Sequence, residues 1–477
     1  MEDVRKFIKD QLSVWPVASA NFRSLKTASY RDFTIGGIAA KAQFNPCRIA
    51  STTADVSREG LAARPCFLCV EHRPAEQFHI KFDGRKSRRY NVQVNPYPIF
   101  PEHLVIARDE HVPQSIWHYF VDMMDFARKY PSYLVFYNGP QSGASAPDHF
   151  HFQSCPKDSL PLQVAVDAFL DDPMTQPLTV QQDARIYHYP HFCRGVYALK
   201  ADTPKSLAKL FYRLVDCAPF ADGDPEPHLN LFIYCHRSEF RCIVTLRSEL
   251  RSHHYFSDGD DHLTMTFGAA DMAGMFVCPR KEDFDKLTPA LLEEVLDEVT
   301  ISAEEEEMVA QRLTRTQSVI EVGVYRGEQI EFEMISDGAG PQKVSLRDGR
   351  IDYNGMLYDE LFFDRRTRST LFAEPSFILS PQQDPLYFAG SLKITTENGK
   401  LVAVNLIGIE NYLLSALSYA LKDRPGLTVE EAVELSISWR DEVLFSGKPI
   451  PEYFGLTFEI SPVVRKALDI SWGKTNH

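Results

Sequence analysis

Two imidazoles and a carboxamide stand at every second position in His149-Phe150-His151-Phe152-Gln153. Alternation of polar and aromatic residues is the period of a β-strand. It predicts His149, His151 and Gln153 on one face, with Phe150 and Phe152 sunk into a core. The preceding stretch, Tyr137-Asn138-Gly139-Pro140-Gln141-Ser142-Gly143-Ala144-Ser145, is a loop of small residues whose glycines let backbone N–H groups approach an anion. An imidazole beside such a cradle can attack phosphorus near pH 7 without a separate base, because much of it is already neutral. A pair of solvated histidines on an edge strand has the same spacing, and pattern alone does not choose between them. A second group with chemistry is Cys66-Phe67-Leu68-Cys69. It is read as half of a metal site, a redox pair or two buried thiols. No second C-x-x-C follows, so further ligands would be histidines from elsewhere in the chain.

The run His149–Gln153 resembles the His-x-His-x-Gln signature of the histidine-triad superfamily in its transferase branch. That branch holds galactose-1-phosphate uridylyltransferase, diadenosine tetraphosphate phosphorylase and GDP-L-galactose phosphorylase. The resemblance implies that His151 attacks the α-phosphorus of a nucleotide and carries the nucleotidyl group. It implies that Gln153, standing where the hydrolase branch has a third histidine, goes with transfer to a phosphate or sugar-phosphate acceptor. Gly143, Ala144 and Ser145 correspond to the phosphate loop, although this chain carries one residue more between Ser145 and His149 than the uridylyltransferases do. Asn95-Pro96-Tyr97-Pro98 resembles the branch's Asn-x-aromatic-Pro strand, which makes Asn95 and Tyr97 candidate nucleotide contacts. Some uridylyltransferases hold a structural Zn²⁺, and the matching ligands here are Cys66, Cys69, His111 and His149.

The elements that must position these residues are legible as alternations and helical spacings. Ala42–Ile49 resembles the entry strand of the uridylyltransferase branch, with Arg48 facing either a phosphate or a surface carboxylate. Residues 78–94 read as a β-hairpin turning at Asp83-Gly84, with a basic tip at Arg85–Arg89. Residues 113–130 read as a helix covering a sheet, and Tyr133–Tyr137 as the strand that enters the loop. Residues 185–280 repeat this material without the motif: a helix at Lys205–Leu214, then strands at Leu229–Tyr234 and Phe240–Leu246. Arg247, Arg251, His253, His254 and Arg280 lie at strand ends, each read singly as structural and together as an anion-binding set.

The expected fold is therefore α+β. An antiparallel-sheet, histidine-triad-like domain in two halves spans residues 1–300, its active half at about 40–170 and its second half at about 185–300. An acidic helical linker at 301–317 leads to a smaller mixed, β-rich domain at 318–477. In that last part Phe388–Thr395, Leu401–Leu406 and Ile409–Leu414 resemble the stage-II sporulation protein D family of peptidoglycan glycosidases. The position of that family's catalytic Glu is occupied by Ala420, and an alanine cannot serve as a general acid. The resemblance implies a fold reused without its chemistry.

Composition narrows the function. The chain has 477 residues, with 51 basic and 65 acidic side chains giving a net charge of −14. That balance argues against a general nucleic-acid binder and leaves room for a local basic pocket. No run of 18 apolar residues suggests a membrane span, and the charged start Met1–Lys6 is followed by no apolar stretch of signal-peptide length. Nine cysteines, an odd number scattered along a long chain, favour reduced thiols or metal ligation. The expectation is a cytoplasmic transferase, possible as a homodimer, acting on a small nucleotide substrate and a phosphate or sugar-phosphate acceptor. The alternative is a non-catalytic binding or assembly protein that reuses both folds.

Overall fold

A computed structural model describes residues 4–181, 183–219, 224–314, 319–335, 340–363, 376–380, 385–446, 461–471 and 474. Two compact units divide the chain, one of residues 1–214 with 218–310, the other of residues 215–217 with 311–477.

The strands of the first unit are β1 (Ser29–Ile35), β2 (Ile38–Phe44), β3 (Ile80–Asp83), β4 (Arg89–Val94), β5 (Leu104–Arg108), β6 (Tyr133–Asn138) and β7 (His151–Pro156). They continue with β8 (Thr179–Gln181), β9 (Ala184–His188), β10 (Val196–Ala201), β11 (Leu229–His236), β12 (Glu239–Leu246) and β13 (Met275–Cys278). Ten of them form one sheet in the order β3-β4-β5-β7-β6-β11-β12-β10-β9-β8. Every neighbouring pair in it is antiparallel.

This order is the same five-strand pattern written twice. In each half three strands run as a meander from the edge, the fourth jumps to the centre and the fifth fills the gap. β6 and β11 meet at the middle, with Phe136 opposite Phe232. A helix precedes the central strand in both halves, Phe120–Lys129 in the first and Pro204–Cys217 in the second. The rings of Phe120 and Phe211 on those helices stack at 3.8 Å between centroids. The two halves expected from sequence are thus one continuous sheet.

Strand parity puts Phe150 and Phe152 on the helix-covered face, where both are fully buried. Phe152 packs against Tyr90 and Phe126 at 5.6 and 5.7 Å between centroids, and Phe150 against Tyr119 at 3.9 Å. Burying such a ring stabilises the fold by roughly 1.5–3 kcal/mol, so the aromatic members of the motif hold the sheet to its helices. On the opposite face β1, β2 and β13 form a small second sheet over a core that includes Leu134, Phe136, Phe232 and Ile243.

Helices Val4–Val14 and Pro16–Lys26 lead into the hairpin β1–β2. One local expectation is corrected. The strand expected to begin at His149 begins at His151. His149 instead closes a turn, donating its N–H to the carbonyl of Ala146 at 3.2 Å, so it does not share the wet face of His151 and Gln153.

The second unit has a four-stranded and a six-stranded antiparallel sheet. Among the described residues that follow are three helices, Ile409–Ala420, Val429–Ser446 and Pro462–Ser471. Glu410 and Arg440, 3% and 1% exposed in their side chains, form a two-pronged ion pair at 2.6 Å for each prong. Ala420 is the last residue of its helix.

Candidate active site and metal centre

Antiparallel register sets the floor of the site. Gln93 of β4 lies opposite Val105 of β5, Val105 opposite Gln153 of β7, and Gln153 opposite Phe136 of β6. Residues directly opposite one another share a face. The face carrying Gln93, Val105, Gln153 and Phe136 is the floor of a cavity of about 580 Å³. His151, Asn95, Tyr97, Arg48, Gly143 and Ser145 complete its polar wall.

His151 is held more firmly than a strand end usually is. β6 and β7 diverge beyond Phe136 and Gln153, and the side chain of Gln114 fills the gap. Its Oε1 accepts from the N–H of His151 at 2.9 Å, and its Nε2 donates to the carbonyls of His151 and Asn138, both at 2.9 Å. The ring of His151 donates from Nδ1 to the carbonyl of His149 at 2.9 Å. Burial lowers the pKa of His151 from its ordinary value, against the pull of that carbonyl and of Asp148. The ring is then neutral at pH 7, with its proton on Nδ1 and its Nε2 lone pair available. Fixing one ring nitrogen by a backbone carbonyl is how a histidine's reactive nitrogen is chosen.

Gln153 accepts at Oε1 from His103 at 2.9 Å and from Asn95 Nδ2 at 3.4 Å. Asn95 thus touches Gln153 as well as bordering the cavity, and Tyr97 donates its backbone N–H to Asn95 Oδ1 at 2.9 Å. Arg48 donates from Nη1 to the carbonyl of Tyr97 at 3.0 Å. Burial lowers its pKa to about 10, with Asp271 opposing. Asp271 also borders the cavity, and burial raises its carboxyl to about 7 despite hydrogen bonds from the N–H groups of Val277 and Gly268.

The small-residue loop packs tightly. Gly143 has φ +98°, and a Cβ there would lie 2.6 Å from Gly268 Cα. Only glycine suits such a backbone and such an approach. Gly143 and Ser145 border the cavity, whereas Ala144 is buried and lies outside the lining. Arg64 donates to the carbonyl of Ser145 at 3.2 Å and to Asp148 at 3.3 Å, which ties the loop to the segment carrying the cysteines.

Cys66, Cys69, His111 and His149 converge, with one donor atom from each lying within 4.8 Å of all the others. His149 Nδ1 is 3.3 Å from Cys66 Sγ and 3.5 Å from Cys69 Sγ, and His111 Nδ1 is 3.2 Å from Cys69 Sγ. Metal–sulfur and metal–nitrogen bonds of about 2.3 and 2.0 Å at a tetrahedral angle put sulfur and nitrogen roughly 3.5 Å apart, so the donor set fits a four-coordinate metal ion. His149 Nε2 donates to the carbonyl of Arg108 at 2.9 Å, which leaves Nδ1 as the lone pair turned to the cysteines. Burial drops His149 to about 4 and, with Cys66 beside it, raises Cys69 to about 11. A cation at the centre would reverse the second of these.

The strand of the second half that occupies the place of β7 is β12. Its cavity-side face carries Arg241, whose side chain is saturated by Asp167 (2.6 Å), Glu239 (2.7 Å) and Asp171. The suggested basic set fares similarly. Arg247 is buried and spends its donors on Asn230 and three carbonyls, and His253 and His254 pair with Glu298 and Glu294. None of Arg247, Arg251, His253, His254 and Arg280 borders the cavity. The residues that sequence reasoning missed are Gln114, His103 and Gln93. Gln114 falls in the stretch 113–130 read as a helix, but that helix begins at Phe120 and Gln114 lies in the loop before it, whereas strand parity from Val105 would have placed His103 on the face of Gln153.

Comparison with known proteins adds the following. The family described as Domain of unknown function (DUF4922) matches residues 7–156. Galactose-1-phosphate uridylyltransferase of Staphylococcus saprophyticus is 31% identical over 104 residues, covering 19% of this chain and 20% of that protein. Protein APA1 of Saccharomyces cerevisiae is 25% identical over 252 residues, covering 47% of this chain and 73% of that one. The chain therefore spans only about a fifth of the uridylyltransferase. Among solved structures, yeast Ap4A phosphorylase Apa2 is 17% identical with a TM-score of 0.42, covering 60% of this chain and 97% of that chain. The two sequence relatives agree with the histidine-triad resemblance carried by residues 149–153, and neither bears on the likeness of residues 318–425 to sporulation protein D.

Proposed function

We propose that the first unit is a nucleotidyltransferase or phosphorylase acting on a nucleotide sugar or a dinucleoside polyphosphate through a covalent nucleotidyl-histidine. The observation that carries this reading is His151, with Nδ1 anchored and neutral, on a cavity that also presents Gln153, Gly143 and Ser145. The Nε2 lone pair forms a bond to the α-phosphorus while the bond from phosphorus to the bridging oxygen breaks, and the leaving group departs with that electron pair. An oxygen of phosphate or a sugar phosphate then attacks the same phosphorus, and the P–N bond returns its electrons to the ring. No general base is needed for the first step, because the attacking nitrogen carries no proton. Arg48 and the loop backbone supply positive potential where charge builds on the non-bridging oxygens. Similarity to a protein named galactose-1-phosphate uridylyltransferase supports this class of substrate.

Cys66, Cys69, His111 and His149 would hold Zn²⁺ as a closed four-ligand set, which supplies structural cross-linking and no open coordination position. Its place is to tie the cysteine loop to the turn just before β7, holding His151 in register. All nine cysteines are free thiols, which fits a cytoplasmic, reducing setting, and no helix among the described residues is long and apolar enough to cross a membrane.

The test is incubation with α-³²P-labelled nucleotides, followed by denaturation. Acid-labile label on the wild-type chain, absent from His151→Ala, is expected. A chain that binds these nucleotides and is never labelled would favour the binding-protein alternative.

A further inference from the structure

Beyond His151, the contacts of Gln153 bear on which end of its amide faces the cavity. A glutamine side chain can present either a donor or an acceptor, and only a donor can hold an anionic phosphoryl oxygen. His103 is fully buried at the start of β5, its ring edge-on to Phe100 and tilted against Phe136. The backbone N–H of Ile99 donates to His103 Nδ1 at 3.1 Å, so Nδ1 bears no proton. Burial, with Arg48 nearby, drops the ring to about 3, which leaves it neutral with its one proton on Nε2. Nε2 lies 2.9 Å from Gln153 Oε1.

A second, longer contact agrees with this orientation. Asn95 Oδ1 is taken by the N–H of Tyr97, so the other end of Asn95 is its NH₂, which lies 3.4 Å from both Gln153 Oε1 and His103 Nε2; since His103 Nε2 carries the ring's proton, only Gln153 Oε1 can accept from it. Two donors of settled identity converge on one atom. That atom must be the amide oxygen, and the NH₂ of Gln153 is the end left for the cavity.

We infer that His103, with Asn95 in support, is a positioning residue that locks the Gln153 carboxamide with its N–H groups toward the substrate's phosphoryl oxygens. The role deepens the nucleotidyl-transfer reading above and rests on it. His103 does not touch the reacting atoms. Without it the amide can rotate by half a turn, and its oxygen would then oppose the charge that grows on phosphorus.

The experiment has two arms. In the first, the protein labelled with ¹⁵N-histidine is studied by long-range ¹H–¹⁵N correlation at pH 7. The expected signature for His103 is the neutral ring protonated at Nε2. A ring protonated at Nδ1, or at both nitrogens, overturns the inference whatever the enzyme's activity. In the second, rates of nucleotidyl labelling are measured for His103→Phe, Gln153→Ala and the double variant, each checked for native circular dichroism. Loss of a preorganised donor costs on the order of 10²-fold in rate, so His103→Phe should slow labelling about that much in the wild-type background. In the Gln153→Ala background it should change the rate by less than about twofold, because the group it orients is gone. Equal slowing in both backgrounds would mean a merely structural role and would refute the inference. If His103→Phe does not fold, the tautomer still decides. Absence of labelling in the wild type would count against the proposed function alone, since the first arm does not depend on it.

Discussion

Gln114→Met removes one carboxamide of nearly the same size from a site that is 1% exposed. Three backbone groups lose their partner together: the N–H and carbonyl of His151 and the carbonyl of Asn138. An unmet buried polar group costs about 1–3 kcal/mol, and carbonyls, having two lone pairs, are the cheaper kind to strand. Taking the lower end for the two carbonyls and the middle for the N–H gives about 4 kcal/mol. That corresponds to roughly 10³-fold in a local opening equilibrium, at 1.4 kcal/mol per tenfold. Hydrogen exchange read by mass spectrometry on a peptide covering residues 146–156 measures that opening directly. Exchange should accelerate by two to three orders of magnitude there, with little change in peptides from β9 and β10. Nucleotidyl labelling should fall by at least about 10²-fold, because a nucleophile displaced by an ångström loses that much. An exchange rate within threefold of wild type would refute the claim that Gln114 is what holds the strand end.

Gly143→Ala forces a Cβ to within 2.6 Å of Gly268 Cα at φ +98°; labelling should fall at least about tenfold with the overall fold retained, as read by circular dichroism. Glu410→Gln leaves the buried Arg440 without its counter-charge and should destabilise the second unit by about 3–5 kcal/mol, whereas Glu410→Met with Arg440→Leu should cost less, both read from urea unfolding. His103 has its folded pKa depressed to about 3, below its unfolded value near 6.5. The unfolded chain therefore binds the proton first, so this stability is complete above about pH 6.5, declines by about 1.4 kcal/mol per pH unit as pH falls, and levels off near the folded value. His103→Phe should flatten that part of the stability profile.

The sheet and the motif were largely legible from the residues, because strand alternation and the small-residue loop are local signals. The hairpin read at 78–94 and the strands read at 133–137, 229–234 and 240–246 lie within two residues of those in the structure, and the burial of Phe150 and Phe152 likewise followed from period and turn chemistry. The diverging orientation of His149 and His151 was not readable from alternation, since it depends on where the strand begins. That start is set by Gln114, which lies 37 residues away in sequence. The convergence of Cys66, Cys69, His111 and His149 came from resemblance alone, because no spacing rule joins a C-x-x-C to histidines 42 and 80 residues beyond Cys69. His103 was visible only as one more polar residue before a strand. Its meaning lies in a tautomer, and that is set by the backbone N–H of Ile99 and by burial.

The central claim is that His151 carries the nucleotidyl group. The most direct measurement is intact-protein mass spectrometry after brief incubation with Ap4A, UDP-galactose or a GDP-hexose and no acceptor, followed by peptide mapping under non-acidic conditions. The account predicts one nucleotidyl adduct per chain from at least one of these donors, located on His151 and discharged by added phosphate or a sugar phosphate. An adduct on any other residue, or transfer to acceptor at an unchanged rate by His151→Ala, would contradict it.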